Sequence, residues 1–306
     1  NGSFGLAPGA EIALESDPRG ITRDRAFGLA AMGFNRISFG VQDFALPVQM
    51  KINRLQTYGL VAHVTDLLRE AGFTSINFDL MYGLPAQTVC SVRQTAKQAA
   101  ALRPDRISVF GYAHVPWFKK HQRMISDAEL PGVSERYEQA GAIAEALGHA
   151  GYAAIGLDHF ALPDDPLAIA ASTGTLRRNF QGYTTDTADA LLAFGASAIS
   201  EFPQGFAQAA RDTLPWTQAI AGRRSPIARG LASTAEDRMR GAIIEQIMCN
   251  FSADFDQIAG QYGFDKGVLE DSLFRLQPLV ETGLASIIGT IVRVPQEHRL
   301  FLRSVA

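Results

Sequence analysis

Acid, amide and imidazole side chains recur just past short apolar runs in the first half of the chain: Glu15, Gln42, Asp79, His114 and the Asp158-His159 pair. Carboxylates and amides at such positions can hold the hydroxyl and amino groups of a polar ligand. The stretch around Asp79 carries the most information. Phe73–Pro85 reads Phe-Thr-Ser-Ile-Asn-Phe-Asp-Leu-Met-Tyr-Gly-Leu-Pro, an apolar run closed by Gly83 and Pro85. Its shortness and turn boundaries fit a buried strand better than a helix. A carboxylate inside it must face solvent or be hydrogen-bonded, because burying it unpaired is costly. A strand that passes through Asp79 and turns at Gly83-Leu84-Pro85 aims the acid at a pocket on its C-terminal edge; the plainer role is to bond the turn's own backbone. A second polar cluster is Arg177-Arg178-Asn179-Phe180-Gln181-Gly182-Tyr183-Thr184-Thr185, and Gly195–Ser200 is a small-residue stretch open to close backbone approach. His114 and His159 are single imidazoles at strand ends, where a hydrogen-bonded structural group is the commoner use.

The elements that position these residues follow a strand–helix rhythm. Strands are predicted at Glu11–Glu15, Arg36–Gly40, within Phe73–Pro85, at Arg106–Tyr112 and at Tyr152–Leu157. Between them, Thr22 caps a helix that Gly33 ends, Leu60–Ala71 is a helix stopped by Gly72, a third helix spans about Thr88 to Leu102, and a fourth carries Tyr137–Leu147 before Gly151. Five strands in parallel βαβ units make an open α/β sheet or part of a (β/α) barrel. No Gly-x-Gly-x-x-Gly follows a strand and no Gly-x-x-x-x-Gly-Lys-Ser/Thr occurs, which argues against dinucleotide and P-loop folds. In a barrel, polar strand-end residues collect on one active face. Beyond about Leu162 the pattern loosens. From Ser233 a capping-box spacing starts a helix, two more helical patterns follow, and Gly283–Val294 alternates like a hairpin, giving a small winged-helix-like end. The helix near Lys266–Leu279 that would read DNA is not basic. The expected layout is a partial barrel over 1–165, an extension of ligand-lining loops over 166–232 and the helical domain over 233–306.

Composition narrows the function. With 47% hydrophobic and 19% charged residues the chain can build a core, and its 306 residues suit one large domain or two, at ~100–200 residues each. A net charge of −3 offers no electrostatic footprint for nucleic acid or an anionic membrane. Basic residues are mostly Arg, and the lysines are Lys51, Lys97, Lys119, Lys120 and Lys266. Cys90 and Cys249 stand alone, so this chain has no Cys-x-x-Cys thiolate cage of its own; both are expected to be small buried residues in helices. No apolar run approaches the ~18 residues of a membrane span and no signal peptide is evident, which leads to the expectation of a soluble cytoplasmic protein.

Phe34–Phe44, Asn53-Arg54, Asn77–Pro85, Tyr112-Ala113-His114, Asp158–Ala161 and Asn179–Thr185 together resemble the oxygen-independent coproporphyrinogen III oxidases, radical S-adenosylmethionine enzymes of haem biosynthesis. The likeness runs in order over nearly the whole chain. Asn179-Phe-Gln-Gly-Tyr-Thr-Thr185 is its most specific part and separates the family from haem-chaperone-like relatives that share the barrel. The resemblance implies an α/β fold, an incomplete parallel (β/α) barrel of radical-SAM type followed by the small helical domain. It implies two S-adenosylmethionine molecules and a [4Fe–4S] cluster. The reaction it implies is oxidative decarboxylation of two propionates of coproporphyrinogen III to the vinyls of protoporphyrinogen IX, started by a 5′-deoxyadenosyl radical. It also implies a flavodoxin or ferredoxin as electron donor and a monomeric enzyme. Residue by residue, Glu15 matches the family's ligand for the amino group of the first S-adenosylmethionine. Gln42, Arg54, Asp79, Ala113 and Ile199 match contacts to a second, and Phe180 and Gln181 match positions close to the reaction centre.

The departure from the family is large. Its Cys-x-x-x-Cys-x-x-Cys cluster loop and the Gly-Gly-Thr-Pro-like stretch after the second strand are not in this sequence, which begins at what would be the third strand. The expectation is a piece of the enzyme, inactive alone, with no metal ligands of its own. The competing reading is a cluster-less relative that binds haem or a tetrapyrrole without turnover, through His114 or His159.

Overall fold

The structure is a computed structural model describing residues 5–306. It divides into two compact units, one ending at Ile169 and the other Ala170–Ala306.

In the first unit, β1 (Ala13–Ser16), β2 (Arg36–Gln42), β3 (Ser75–Tyr82) and β4 (Arg106–Gly111) run parallel in that order. The helices between them are α1 (Arg23–Ala31), the short α2 (Leu46–Lys51) with α3 (Tyr58–Ala71), and α4 (Val89–Ala101); α5 (Val133–His149) follows β4. Their boundaries are chemical. Thr22, Thr57 and Thr88 each accept a backbone N–H of the first turn through the side-chain oxygen, and Gly72, at φ 99°, closes α3 in the left-handed region.

Alternation along the strands sorts the two faces of the sheet. Ile37, Phe39, Ile76, Phe78, Leu80, Ile107 and Val109 are buried in one cluster with Ala26 of α1, Val64 and Leu68 of α3, Val92 and Ala96 of α4, and Ile143 and Leu147 of α5. All four helices therefore cover the same face, the winding of a (β/α) barrel rather than of a doubly wound sheet. The opposite face carries Ser38, Asn77, Asp79 and Ser108.

The fifth strand departs from expectation. Tyr152–Leu157 does not continue the parallel series: β5 (Ala153–Ile155) pairs antiparallel with β6 (His159–Ala161), and β6 pairs antiparallel with β4. The turn between them is only three residues long, too short for the crossover that a parallel strand requires. Asp158-His159 thus sits at the start of a returning strand, not past the end of a parallel one.

In the second unit, β7 (Arg177–Asn179) and β8 (Gly182–Thr184) form a hairpin. α6 (Pro166–Thr173) precedes that hairpin. β9 (Ile199–Phe202), β10 (Gly205–Ala209) and β11 (Ile227–Ala232) form an antiparallel sheet, with α7 (Thr213–Ala221) between β10 and β11 in the chain. The remainder is α8 (Ala235–Asn250), β12 (Ser252–Asp254), α9 (Phe255–Gln261), α10 (Glu270–Arg275), α11 (Gln277–Glu281) and the hairpin of β13 (Ser286–Ile288) and β14 (Ile291–Arg293). The capping box that opens α8 lies one residue later than the spacing from Ser233 suggests: Thr234 is the cap and Asp237 its partner. The single helix expected near Lys266–Leu279 is divided into α10 and α11, because Pro278 lacks the N–H that would continue the turn. Cys249 is buried in α8, whereas Cys90, expected inside, lies on the exposed side of α4. No helix among the described residues is long and apolar enough to cross a membrane.

Candidate active site

The polar face of the sheet is a connected ladder. Ser108 Oγ donates to Asn77 Oδ1 at 3.3 Å. The Asn77 amide nitrogen donates to Ser38 Oγ and to Asp79 Oδ1, each at 2.8 Å. Ser38 Oγ approaches Asp79 Oδ2 at 3.4 Å. Asn77 and Ser108 are buried and Asp79 is half-buried, so the chain of bonds leads from the interior out to one accessible carboxylate. Glu15 joins the same face: it stands in register with Ser38 and is exposed.

At the C-terminal end of β2 the backbone is irregular. The register with β3 slips between Gly40 and Gln42, and Gln42 adopts φ 63°. This turns the Gln42 side chain back over the strand: a Cβ placed on Gly40 would lie 2.2 Å from Gln42 Nε2 and 3.3 Å from Arg54 Nη2. A side chain at residue 40 would displace the ends of both groups from these positions. Arg54 Nη2 also donates to the Gly40 carbonyl at 3.0 Å and lies 3.5 Å from Asp17 Oδ2. Gly40 is in register with Asp79 on the neighbouring strand. An amide, a guanidinium and a carboxylate thus gather at adjacent strand ends, a donor and acceptor set suited to an amino acid or a ribose.

Asp17 belongs to this neighbourhood. Hydrogen bonds from the Arg19 side chain, with smaller help from its backbone and from Arg54, hold the Asp17 carboxyl down at about 2 against an ordinary 3.8. The folded value lies below the unfolded one. The contribution of the pair to stability is therefore present above pH 3.8 and lost as pH falls through about 2. The carboxyl carbon of Asp17 is expected to titrate by NMR with a midpoint near 2, and a midpoint at 3.8 would show that the Arg contacts do not persist in solution.

A buried network fixes the loops that carry the site. Asp43 is fully buried. Its carboxylate accepts from Gln87 Nε2 at 2.6 Å, Ala45 N at 2.6 Å and Thr95 Oγ1 at 3.0 Å. Burial pushes this carboxyl above its usual range, and those three bonds oppose the push. Gln49 ties the Asp43 and Gln56 carbonyls, and Gln56 ties those of Gly40 and Val41. Across the sheet, the turn after β3 is held by Gln139 on Gly83 N and by Gln87 on Leu84 N. Asp79 takes no part in that turn; its bonds run to Asn77 and Ser38. The plainer role for Asp79, bracing Gly83-Leu84-Pro85, belongs to the glutamines.

Ala113 follows β4, exposed, with its carbonyl held by Gln122 Nε2 at 3.0 Å. His114 is bonded on both sides, to the Tyr112 hydroxyl at 3.1 Å and to Asp127 at 3.0 Å, and His159 Nδ1 lies 2.8 Å from Asp158 Oδ1. Both imidazoles thus have the hydrogen-bonded surroundings of structural groups. The remaining predicted residues lie in the second unit. Phe180 and Gln181 form the exposed tip of the β7–β8 hairpin, where Asn179 Oδ1 accepts from the N–H groups of Gln181 and Gly182 at 2.9 and 3.2 Å. Arg177 bonds Glu245 at 2.9 Å, and the Tyr183 hydroxyl bonds the Met248 carbonyl at 3.1 Å, so α8 holds the base while the tip is presented. Ile199 opens β9, opposite Gln208. Within the first unit, Gln42 and Arg54 meet at Gly40, with Asp79 and Glu15 on the flanking strands.

A cleft of about 410 Å³ lies at the other, N-terminal edge of the sheet, lined among others by Glu11, Arg36, Asp105 and Arg106. Its charges largely satisfy each other: Arg36 pairs with Glu11 at 2.6 Å and Arg106 with Asp165 at 2.8 Å. It holds none of the strand-end groups above.

Residues 5–99 match the Radical SAM superfamily model. The chain is 50% identical over 304 residues to the oxygen-independent coproporphyrinogen III oxidase of Bradyrhizobium diazoefficiens, covering 99% of this chain and 68% of that protein. It is 38% identical to the protein of the same description from Synechocystis sp., covering 99% of this chain and 66% of that one. Among solved structures, coproporphyrinogen III oxidase (HemN) from Escherichia coli superposes with a TM-score of 0.90 at 41% identity, over 97% of this chain and 68% of that one. The chain therefore spans about two thirds of the length of these relatives.

Proposed function

This chain belongs to the oxygen-independent coproporphyrinogen III oxidases, and we propose that the intact protein converts two propionate side chains of coproporphyrinogen III to the vinyl groups of protoporphyrinogen IX. The observation that carries the reading is 50% identity along 99% of the chain. In each round a hydrogen atom leaves the propionate β-carbon, the bond to the carboxylate breaks with release of CO₂, and one electron passes to an acceptor. S-adenosylmethionine and a [4Fe–4S] cluster, the equipment of the radical SAM superfamily, supply the hydrogen-abstracting carbon radical when bound.

The residues present fit the first of these groups and not the second. Gly40 leaves the space in which Gln42 and Arg54 converge, and Asp79 offers an accessible carboxylate already oriented by Asn77. In this proposal Glu15 takes the amino group of one S-adenosylmethionine. Asp79, Gln42, Arg54 and Ala113 of the first unit line a second, with Arg54 available to a carboxylate and Asp79 to a pair of hydroxyls. Phe180 and Gln181 would border the reacting side chain. No group of three or more ligating side chains exists among the described residues, and the two cysteines lie in different units, so cluster binding is not assigned to them. A small reduced redox protein such as a flavodoxin or ferredoxin would be the electron donor.

Anaerobic incubation of the reconstituted intact protein with S-adenosylmethionine, a reductant and coproporphyrinogen III tests the proposal. Two equivalents of CO₂ per protoporphyrinogen IX are expected. Cleavage of S-adenosylmethionine with the tetrapyrrole left unchanged would refute it.

A further inference from the structure

The segment between Ala113 and Leu130 is a long connection that the site described so far does not use. It is internally fastened: Gln122 donates to the Ala113 carbonyl and accepts from Val115 N at 2.6 Å, Arg123 Nε reaches the Pro116 carbonyl at 3.4 Å, and His114 meets Asp127. Its far end is fastened too. Ile125 and Leu130 pack against Val48, Leu84 and Tyr112, residues following β2, β3 and β4, and Lys51 pairs with Glu129. The loop therefore rests on the C-terminal ends of the strands, where Gln42, Arg54 and Asp79 lie.

What it presents outward is unusual. Ile125 and Leu130 turn inward, yet Trp117, Phe118 and Met124 are 76%, 63% and 87% exposed. Beside them stand Lys119, Lys120, His121 and Arg123, all exposed. Two of the chain's five lysines and one of its two tryptophans fall within four residues. No acidic residue occurs between Val115 and Ser126, and the next acids, Asp127 and Glu129, are already paired with His114 and Lys51. Lys119 Nζ sits 5.1 Å from the centre of the Phe118 ring, so cation and aromatic face form one surface. Covering this surface with ordinary apolar protein would strand several cations without partners. It calls for an occupant that is flat, apolar in the middle and anionic at the rim.

We propose that residues 115–124 form a substrate-binding surface for a tetrapyrrole polycarboxylate, with Trp117 and Phe118 against the macrocycle and Lys119, Lys120 and Arg123 on its propionate carboxylates. This rests on the family reading above and adds residues that specify the substrate class. Lys119 and Lys120 act as point charges that follow a carboxylate, and Arg123 presents a fork to one. Trp117 contributes large rigid contact area at little entropic cost.

The test is fluorescence titration of coproporphyrin III, the aromatised tetracarboxylate, into the intact protein. The paired substitution K119E/K120E is expected to raise Kd at least tenfold and to flatten its dependence on salt. Trp117→Ala should raise Kd severalfold and Trp117→Phe should recover most of the loss. Neither change should move the melting temperature, because the side chains are exposed. Deuteroporphyrin IX, with two carboxylates, should bind the unaltered protein more weakly than coproporphyrin III. Unaltered affinity in both K119E/K120E and Trp117→Ala would overturn the proposal. So would an unaltered protein that takes up S-adenosylmethionine but no porphyrin. A protein that takes up neither would refute the proposed function itself, and this proposal with it.

Discussion

Asp79→Ala in the intact, cluster-loaded protein is expected to weaken S-adenosylmethionine binding about tenfold to a hundredfold while leaving the fold intact. Each charge-assisted hydrogen bond to a carboxylate contributes roughly 1.5–3 kcal/mol, and every 1.4 kcal/mol is about a factor of ten in affinity. The local cost is small. Asp79 is half-buried, so water replaces it, and the Asn77 amide keeps its bond to Ser38 at 2.8 Å. The turn after β3 does not depend on Asp79, since Gln87 and Gln139 hold it. Calorimetric titration with S-adenosylmethionine, paired with a melting curve, separates the two effects. A lowered melting temperature with unchanged affinity would make Asp79 a structural residue.

The largest loss of stability is expected from Arg106→Met. Arg106 and Asp165 are 4% and 6% exposed, and Arg106 Nε lies 2.9 and 2.8 Å from the two carboxylate oxygens. Asp165 also accepts the Leu167 N–H at 2.7 Å, which opens the helix Pro166–Thr173. Removing the guanidinium leaves a buried carboxylate with one neutral donor, and breaking a buried pair from one side costs about 3–5 kcal/mol. At about 2–4 °C per kcal/mol for a protein near this size, the midpoint should fall on the order of 10 °C. Adding Asp165→Asn keeps the bond to Leu167 without the stranded charge, and should restore much of the loss. A midpoint within 2 °C of the unaltered protein would show that Glu11, whose carboxylate lies 3.9 Å from Arg106, or solvent takes over the charge.

Much of the first unit was legible because its signals are local. Thr22, Gly72 and Thr88 announce helix ends through bonds made within one turn, and the apolar phases of β2 to β4 repeat without interruption. Asp79 stood out as an acid in an apolar run. Asn77, Ser38 and Ser108 did not stand out, although each sits one residue from buried neighbours of the opposite phase. The signal was the coincidence of polar phase on three separate strands, which no single strand reveals. The Asp43 network was harder still. Gln49, Gln56, Gln87 and Gln139 look like ordinary helix and loop residues, and only pairings up to 56 positions apart give them a purpose. The β5–β6 return was misread because its strands are three residues each, shorter than the pattern that distinguishes parallel from antiparallel. Phe180 and Gln181 fall within the polar cluster Arg177–Thr185, but the resemblance alone singled out these two within it.

The glutamine network has a consequence for how the site-bearing loops come apart. Ala45, Gln56, Gly83 and Leu84 donate their backbone N–H groups not to a helix or a ladder but to side chains of one connected set. The accepting side chains are tied to one another: Gln87 bonds the Asp43 carboxylate, Gln139 the Gln87 carbonyl and Gln49 the Asp43 carbonyl. These four amides, drawn from the ends of two strands, therefore form one cooperative opening unit: their exchange with deuterated solvent follows a common free energy, set by the least stable bond of the set rather than by the exposure of each loop. The protein thus keeps its ligand-facing loops in register by making them open together or not at all.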